Sequence, residues 1–141
     1  MDIGQLGFAA SLGLAALGSA FGAMAAGAAA IGGWKKCFAQ NRAAPFMLIA
    51  FVGAPLTQTI YGMILMNTII ASSAASLAKF GAGVFGGSAL GVSAWLQGAA
   101  GAHAADAMAE TGKGFGNFIM VLGLIETVAI FTMVFMMGAI G

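Results

Sequence analysis

Charge is scarce in this sequence. Asp, Glu, Lys and Arg make up 6% of its 141 residues, where a soluble domain carries about a quarter. Such a chain cannot cover a water-facing surface. A net charge of +1 provides no basic field for nucleic acid. The single cysteine, Cys37, excludes an internal disulfide and a cysteine-based metal site. No G-x-x-x-x-G-K-[ST] phosphate loop occurs, so the chain is not expected to hydrolyse ATP by itself. Met1-Asp2 is followed by no basic stretch or evident cleavage site, so no removable signal peptide is expected. What is abundant is apolar: 61% of the residues are hydrophobic and the mean hydropathy is +1.01. That is too much apolar surface for a disordered chain, and a membrane protein is the class that remains.

The few charges mark out the spans. After Asp2 the next are Lys35, Lys36 and Arg42, then Lys79, then Asp106, Glu110 and Lys113, and finally Glu126 alone. A bilayer core needs about 20 apolar residues per helix. The gaps predict an all-α protein with transmembrane helices over about 5–34, 44–72, 80–105 and 114–138. These form a first helical hairpin, 1–72, and a second, 80–141. A β-barrel would show short segments of alternating polarity, and these runs are unbroken. Loops 35–43 and 106–113 fall on one side and carry Lys35, Lys36, Arg42 and Lys113. The 73–79 connection on the other side carries only Lys79. The positive-inside rule then places both hairpin loops in the cytoplasm.

The hairpins read as copies. Gly18-Ser19-Ala20-Phe21-Gly22 matches Gly87-Ser88-Ala89-Leu90-Gly91, and Leu56-Thr57-Gln58-Thr59 matches Leu124-Ile125-Glu126-Thr127. Each copy crosses twice, so the repeat is parallel rather than inverted. Gln58 stands in the first copy where Glu126 stands in the second. Helices 1 and 3 carry small residues three or four apart: Gly18, Gly22, Ala26 and Ala30, then Gly83, Gly87, Gly91, Ala94, Gly98 and Gly101. Small faces let backbones approach in lipid, and their length suggests crowding on the inner radius of a closed ring. Helices 2 and 4, rich in Phe, Met, Ile and Leu, then form an outer layer, with Leu65 expected to face lipid.

Glu126 lies in the middle of the fourth span. A carboxylate at that depth costs about 2.5–3.5 kcal/mol or more, and an ionisable group there is a functional candidate by default. An unpaired carboxyl group in low dielectric favours its neutral form and so carries a proton. With enough oxygen ligands, a cation keeps it ionised instead. The second span supplies Thr57, Gln58 and Tyr61 at helical spacing, and the third supplies Gln97. Pro55 has no N–H and frees the Phe51 carbonyl. Two carboxamides, a hydroxyl, a carboxylate and a backbone carbonyl make an all-oxygen set for a hard cation. One carboxylate neutralises Na⁺ but not a divalent ion.

On these residues the chain resembles the 16-kDa-type proteolipid, the rotor-ring (c or K) subunit of V-type rotary ATPases, and within it the bacterial sodium-translocating form. The motifs are Pro55-Leu56-Thr57-Gln58-Thr59-Ile60-Tyr61-Gly62 and Leu124-Ile125-Glu126-Thr127-Val128-Ala129-Ile130. The resemblance implies a homo-oligomeric ring in the lipid bilayer of a bacterial plasma membrane. It implies ion binding by Glu126, ligands from Thr57, Gln58 and Gln97, and a hydrogen bond from Tyr61 to the glutamate. It also implies a further ligand from the backbone carbonyl before the proline, here Ala54 where the family usually has leucine. Leu56 stands where glycine is usual. The implied partners are a stator membrane subunit with an arginine, which displaces the ion, and a central-stalk subunit on the cytoplasmic loops. No covalent cofactor is implied; the cargo is Na⁺ or, alternatively, H⁺.

Two readings from other classes compete. One is a small proton-coupled exporter working on a single membrane Glu. It predicts a dimer with an aromatic cage, whereas the residues flanking Glu126 are small and aliphatic. The other is a structural pore, which leaves Glu126 without a purpose. His103, Trp34, Trp95, Lys35, Lys36 and Arg42 read as interface anchors, and Cys37 has no assigned role.

Overall fold

The computed structural model describes residues 2–141; Met1 lies outside them. Four helices, α1 to α4, run the length of the molecule. Helix α1 is Gly4–Ala39. Helix α2 is Leu48–Ala71, with a 3₁₀ turn at Ala54–Leu56 in its middle. Helix α3 covers 76–111, with a π turn at Ala82–Gly86. Helix α4 is Phe115–Ile140. The chain is thus all-helical, and among the described residues α1, α2 and α4 are long and apolar enough to cross a membrane. Helix α3 is dominated by Gly, Ala and Ser, which lowers its hydropathy while keeping its surface small.

The two longest helices overrun their expected ends. Helix α1 continues through Lys35 and Lys36, and α3 begins before Lys79 and includes Asp106 and Glu110. Charge ended the apolar run without ending the helix, because a helix satisfies its own backbone in water as well as in lipid. Real stops come from the backbone. Asn41 (φ 54) lies in the first loop, and Gly112 (φ 68) and Gly114 (φ 91) turn the chain between α3 and α4. Gly112 N–H donates to the Met108 carbonyl at 2.8 Å, closing the α3 end.

The deepest interface joins α1 to α3. A Cβ placed on Gly18 would coincide with the Gly91 backbone, and one on Gly98 with the Gly22 backbone. The small-residue stripes predicted to crowd a ring are therefore mated to each other inside one chain. All of Gly18, Gly22, Ala26 and Ala30 are buried there. Helices α2 and α4 flank this pair, and α4 is the most peripheral, with 11% of its apolar window buried against 33% for α1 and α2. Leu124, Val128, Phe131 and Phe135 of α4 are exposed, as a lipid-facing layer requires. Leu65 is a correction. It is fully buried in α2 and packs with Ala15, Ile69, Leu90 and Ala129, because the α2 face that carries Gln58 and Gly62 also carries residue 65.

The hairpin loops are tied together at one end. Lys36 pairs with Glu110. Arg42 Nη1 donates to the carbonyls of Ala109 (3.3 Å) and Glu110 (3.2 Å), covering the last turn of α3. Trp34 Nε1 donates to the Pro45 carbonyl at 2.7 Å. Lys36, Arg42 and Trp34, expected as interface anchors, thus have partners within the chain. The Lys36 contact holds the Glu110 carboxyl below the usual carboxylate range, and the same contact raises the Lys36 ammonium. At the far end, the Ser76 hydroxyl and the Gly4 N–H (2.9 Å) lower Asp2.

Candidate functional site

Between the two apolar clusters lies one polar layer. The cluster towards the loops contains Phe51, Leu48, Met108 and Leu122; the other contains Leu65, Ile69, Leu90 and Ala129. Pro55 interrupts α2 between them. Its missing N–H loosens the helix into the 3₁₀ turn and brings the Ala54 carbonyl within reach of Thr57. Thr57 Oγ1 lies 3.0 Å from the Ala54 carbonyl and 3.0 Å from Gln58 Oε1. A hydroxyl has one proton, so it serves one of these acceptors at a time. Three oxygens from one turn of α2 are thereby gathered around Thr57.

From there the network crosses the chain. Gln58 Nε2 donates to Gln97 Oε1 at 2.8 Å. Gln97 Nε2 donates to the Leu122 carbonyl at 2.9 Å and to Glu126 Oε2 at 3.2 Å. Tyr61 Oη donates to Glu126 Oε1 at 2.6 Å. Gln58 and Gln97 are fully buried, whereas Glu126 is half-buried on α4. All six residues singled out in the sequence, namely Ala54, Thr57, Gln58, Tyr61, Gln97 and Glu126, lie in one connected network. The carbonyl of Phe51 does not join it. It lies against Gly101, one turn nearer the loops.

Sequence reading missed two contributors. Ser93 Oγ donates to the Ile125 carbonyl at 3.3 Å, tying α3 to α4 beside the carboxylate. Its signal was available, since Ser93 precedes Gln97 by one turn. The Leu122 carbonyl, which takes one Gln97 N–H, has no side-chain signal at all. His103 and Trp95 stand apart from the site. His103 is exposed, and Trp95 packs against Phe21 with ring centres 5.9 Å apart.

Chemically, the Glu126 carboxylate accepts two neutral hydrogen bonds, and among the described residues no Lys, Arg or His pairs with it. Its charge must be balanced from outside the chain, by a proton or by a small cation. Every neighbouring ligand atom is an oxygen or an amide N–H.

Two helical hairpins around one membrane carboxylate define a helical membrane protein with an ion-exchange site. Residues 80–138 match the ATP synthase C-subunit family, whose members are the rotor-ring proteolipids of ATP synthases and ATPases. The second hairpin therefore belongs to that family, with both Gln97 and Glu126 inside the match. Ala54, Thr57, Gln58 and Tyr61 lie outside it, in the first hairpin. No curated protein matches the chain.

Proposed function

We propose that the whole four-helix chain is a rotor-ring subunit of a V-type ATPase that carries Na⁺ on Glu126. The observation that carries this reading is the pairing of one half-buried carboxylate, unbalanced by any described cation, with the oxygen cluster of Ala54, Thr57 and Gln58. The cluster lies in the first hairpin and the carboxylate in the second, so a single hairpin would hold only half the site. Na⁺ entering between them would take the place of the Thr57 proton among oxygen ligands. Gln97 and Tyr61 would hold the carboxylate in position.

On this reading copies of the chain form a ring. Glu126 takes an ion from one access path, crosses lipid with its charge neutralised, and releases the ion where a stator arginine competes for the carboxylate. The paired loops at the Lys36–Glu110 end face the cytoplasm of a bacterial cell and receive the central stalk. ATP is handled by other subunits. Support for the V-type form comes from the duplication, with Gln58 at the position of Glu126 in the first copy.

Labelling of Glu126 by a carboxyl-directed carbodiimide tests the ion. The reagent attacks the protonated acid, so millimolar Na⁺ should slow labelling, more strongly as pH rises. Labelling that follows pH alone at every Na⁺ concentration would make this a proton ring.

A further inference from the structure

Ser19 is the one buried side-chain nitrogen- or oxygen-bearing group among the described residues that finds no hydrogen-bond partner, and it is 2% exposed. A buried hydroxyl left in that state is costly. Helix register gives its surroundings. Ser11 Oγ donates to the Gly62 carbonyl at 2.8 Å, and Ala15 stands directly against Gly62. Further along α1, Gly22 stands against Pro55 and Ala94. Ser19 lies between these two levels on the same buried face. Helix α2 runs antiparallel, so the residue level with Ser19 is the one between Gly62 and Pro55 on the inward face, which is Gln58.

Gln58 is itself fully buried. Its Oε1 accepts from Thr57, and Nε2 has one acceptor, Gln97 Oε1. A carboxamide carries two N–H donors, so one remains. An unpaired hydroxyl and an unused amide N–H thus share one depth in the protein without bonding directly. A single water joins such groups, accepting from the amide and exchanging a hydrogen bond with the hydroxyl.

We propose that Ser19 holds a buried water against Gln58, and that this bridge keeps the Gln58 carboxamide turned with its oxygen towards Thr57. Flipping the amide would put N–H donors where the cluster needs an oxygen. Ser19 is a positioning residue, acting through Gln58 and touching no ion. The inference rests on the sodium reading of the site for its effect on affinity, but not for the bridge itself.

The test uses intact wild-type rings and the variants Ser19→Ala, Gln58→Leu and the double variant. A density map that resolves waters should show one between Ser19 Oγ and Gln58 Nε2, absent in Ser19→Ala. The Na⁺ concentration that half-protects Glu126 should rise about fivefold in Ser19→Ala, as expected for one lost hydrogen bond. Labelling without Na⁺ should not change, and Ser19→Ala should add nothing in the Gln58→Leu background. A serine that only fills space predicts otherwise: no density, unchanged Na⁺ protection, and a ring at least as stable once the unpaired hydroxyl is gone. That result overturns the proposal and returns Ser19 to a bond with its own helix. A wild-type ring indifferent to Na⁺ would remove the sodium reading, and the density would then decide the bridge alone.

Discussion

Replacing Gln97 with leucine cuts the polar network at its middle. The side chain is fully buried, and leucine is similar in size, so little packing is lost. Three hydrogen bonds go: from Gln58 Nε2 (2.8 Å), to the Leu122 carbonyl (2.9 Å) and to Glu126 (3.2 Å). The Leu122 carbonyl retains its place in the α4 ladder. The bond to the carboxylate is worth about 1.5–3 kcal/mol, and stranding the Gln58 amide costs about 1–3 kcal/mol. Part of this falls equally on the protonated and Na⁺-bound states and cancels. A differential loss of about 2–3 kcal/mol raises the half-protecting Na⁺ concentration some 30- to 150-fold. The assay is carbodiimide labelling of purified Gln97→Leu rings across a Na⁺ series at fixed pH, with ring size checked on a native gel. Labelling in Na⁺-free medium should stay near wild type, because a proton needs a single acceptor. Protection at the wild-type Na⁺ concentration would refute the reasoning and leave Gln97 as an interhelical tie.

Other predictions address the carboxylate, the helix interface and the loops. Glu126→Gln should leave rings assembled but abolish ion-coupled ATP turnover, since an amide keeps the shape without the charge; wild-type pumping would end the ion-carrier reading. Gly91→Leu should prevent a stable subunit, because its Cβ alone would run into the Leu14 carbonyl, whereas Met63→Leu, at a half-exposed α2 position, should assemble normally on the same gel. The Lys36–Glu110 contact should be insensitive to pH near neutrality. Glu110 is lowered, so its contribution is present above the usual carboxylate range and lost as pH falls through its folded value; Lys36 is raised, so its contribution is lost only as pH rises through its own. Hydrogen exchange at loop amides, corrected for intrinsic rate, should therefore quicken in acid, and Glu110→Gln should remove that dependence.

The existence of four helices was legible because the charges that interrupt an apolar chain are so few. Their ends were not, since Lys36, Lys79 and Glu110 stop an apolar run without breaking a helix. The site residues were legible for a related reason: Gln58, Gln97 and Glu126 are costly in lipid, so each one stands out against its surroundings. Partners were harder. A stripe such as Gly18, Gly22, Ala26 and Ala30 says that a backbone comes close, but not whether it belongs to the same chain. Leu65 was misplaced because the faces of α2 are all apolar except at the site, so composition could not tell core from lipid. Carbonyl contributors such as Leu122, and the unpaired hydroxyl of Ser19, depend on depth and register alone.

The loop-end ties have a mechanical consequence. Helix α1, with 36 residues, is about 54 Å long, against a hydrocarbon core of about 30 Å. It and α3 stand proud of the bilayer like paired splines. Lys36–Glu110 and the Arg42 bonds clamp their tips, and backbone-to-backbone contact at Gly18–Gly91 and Gly22–Gly98 removes play further down. Twist applied to either loop therefore reaches both hairpins at once, with little compliance to absorb it. A shaft seated on this end would turn the carboxylate with it, step for step.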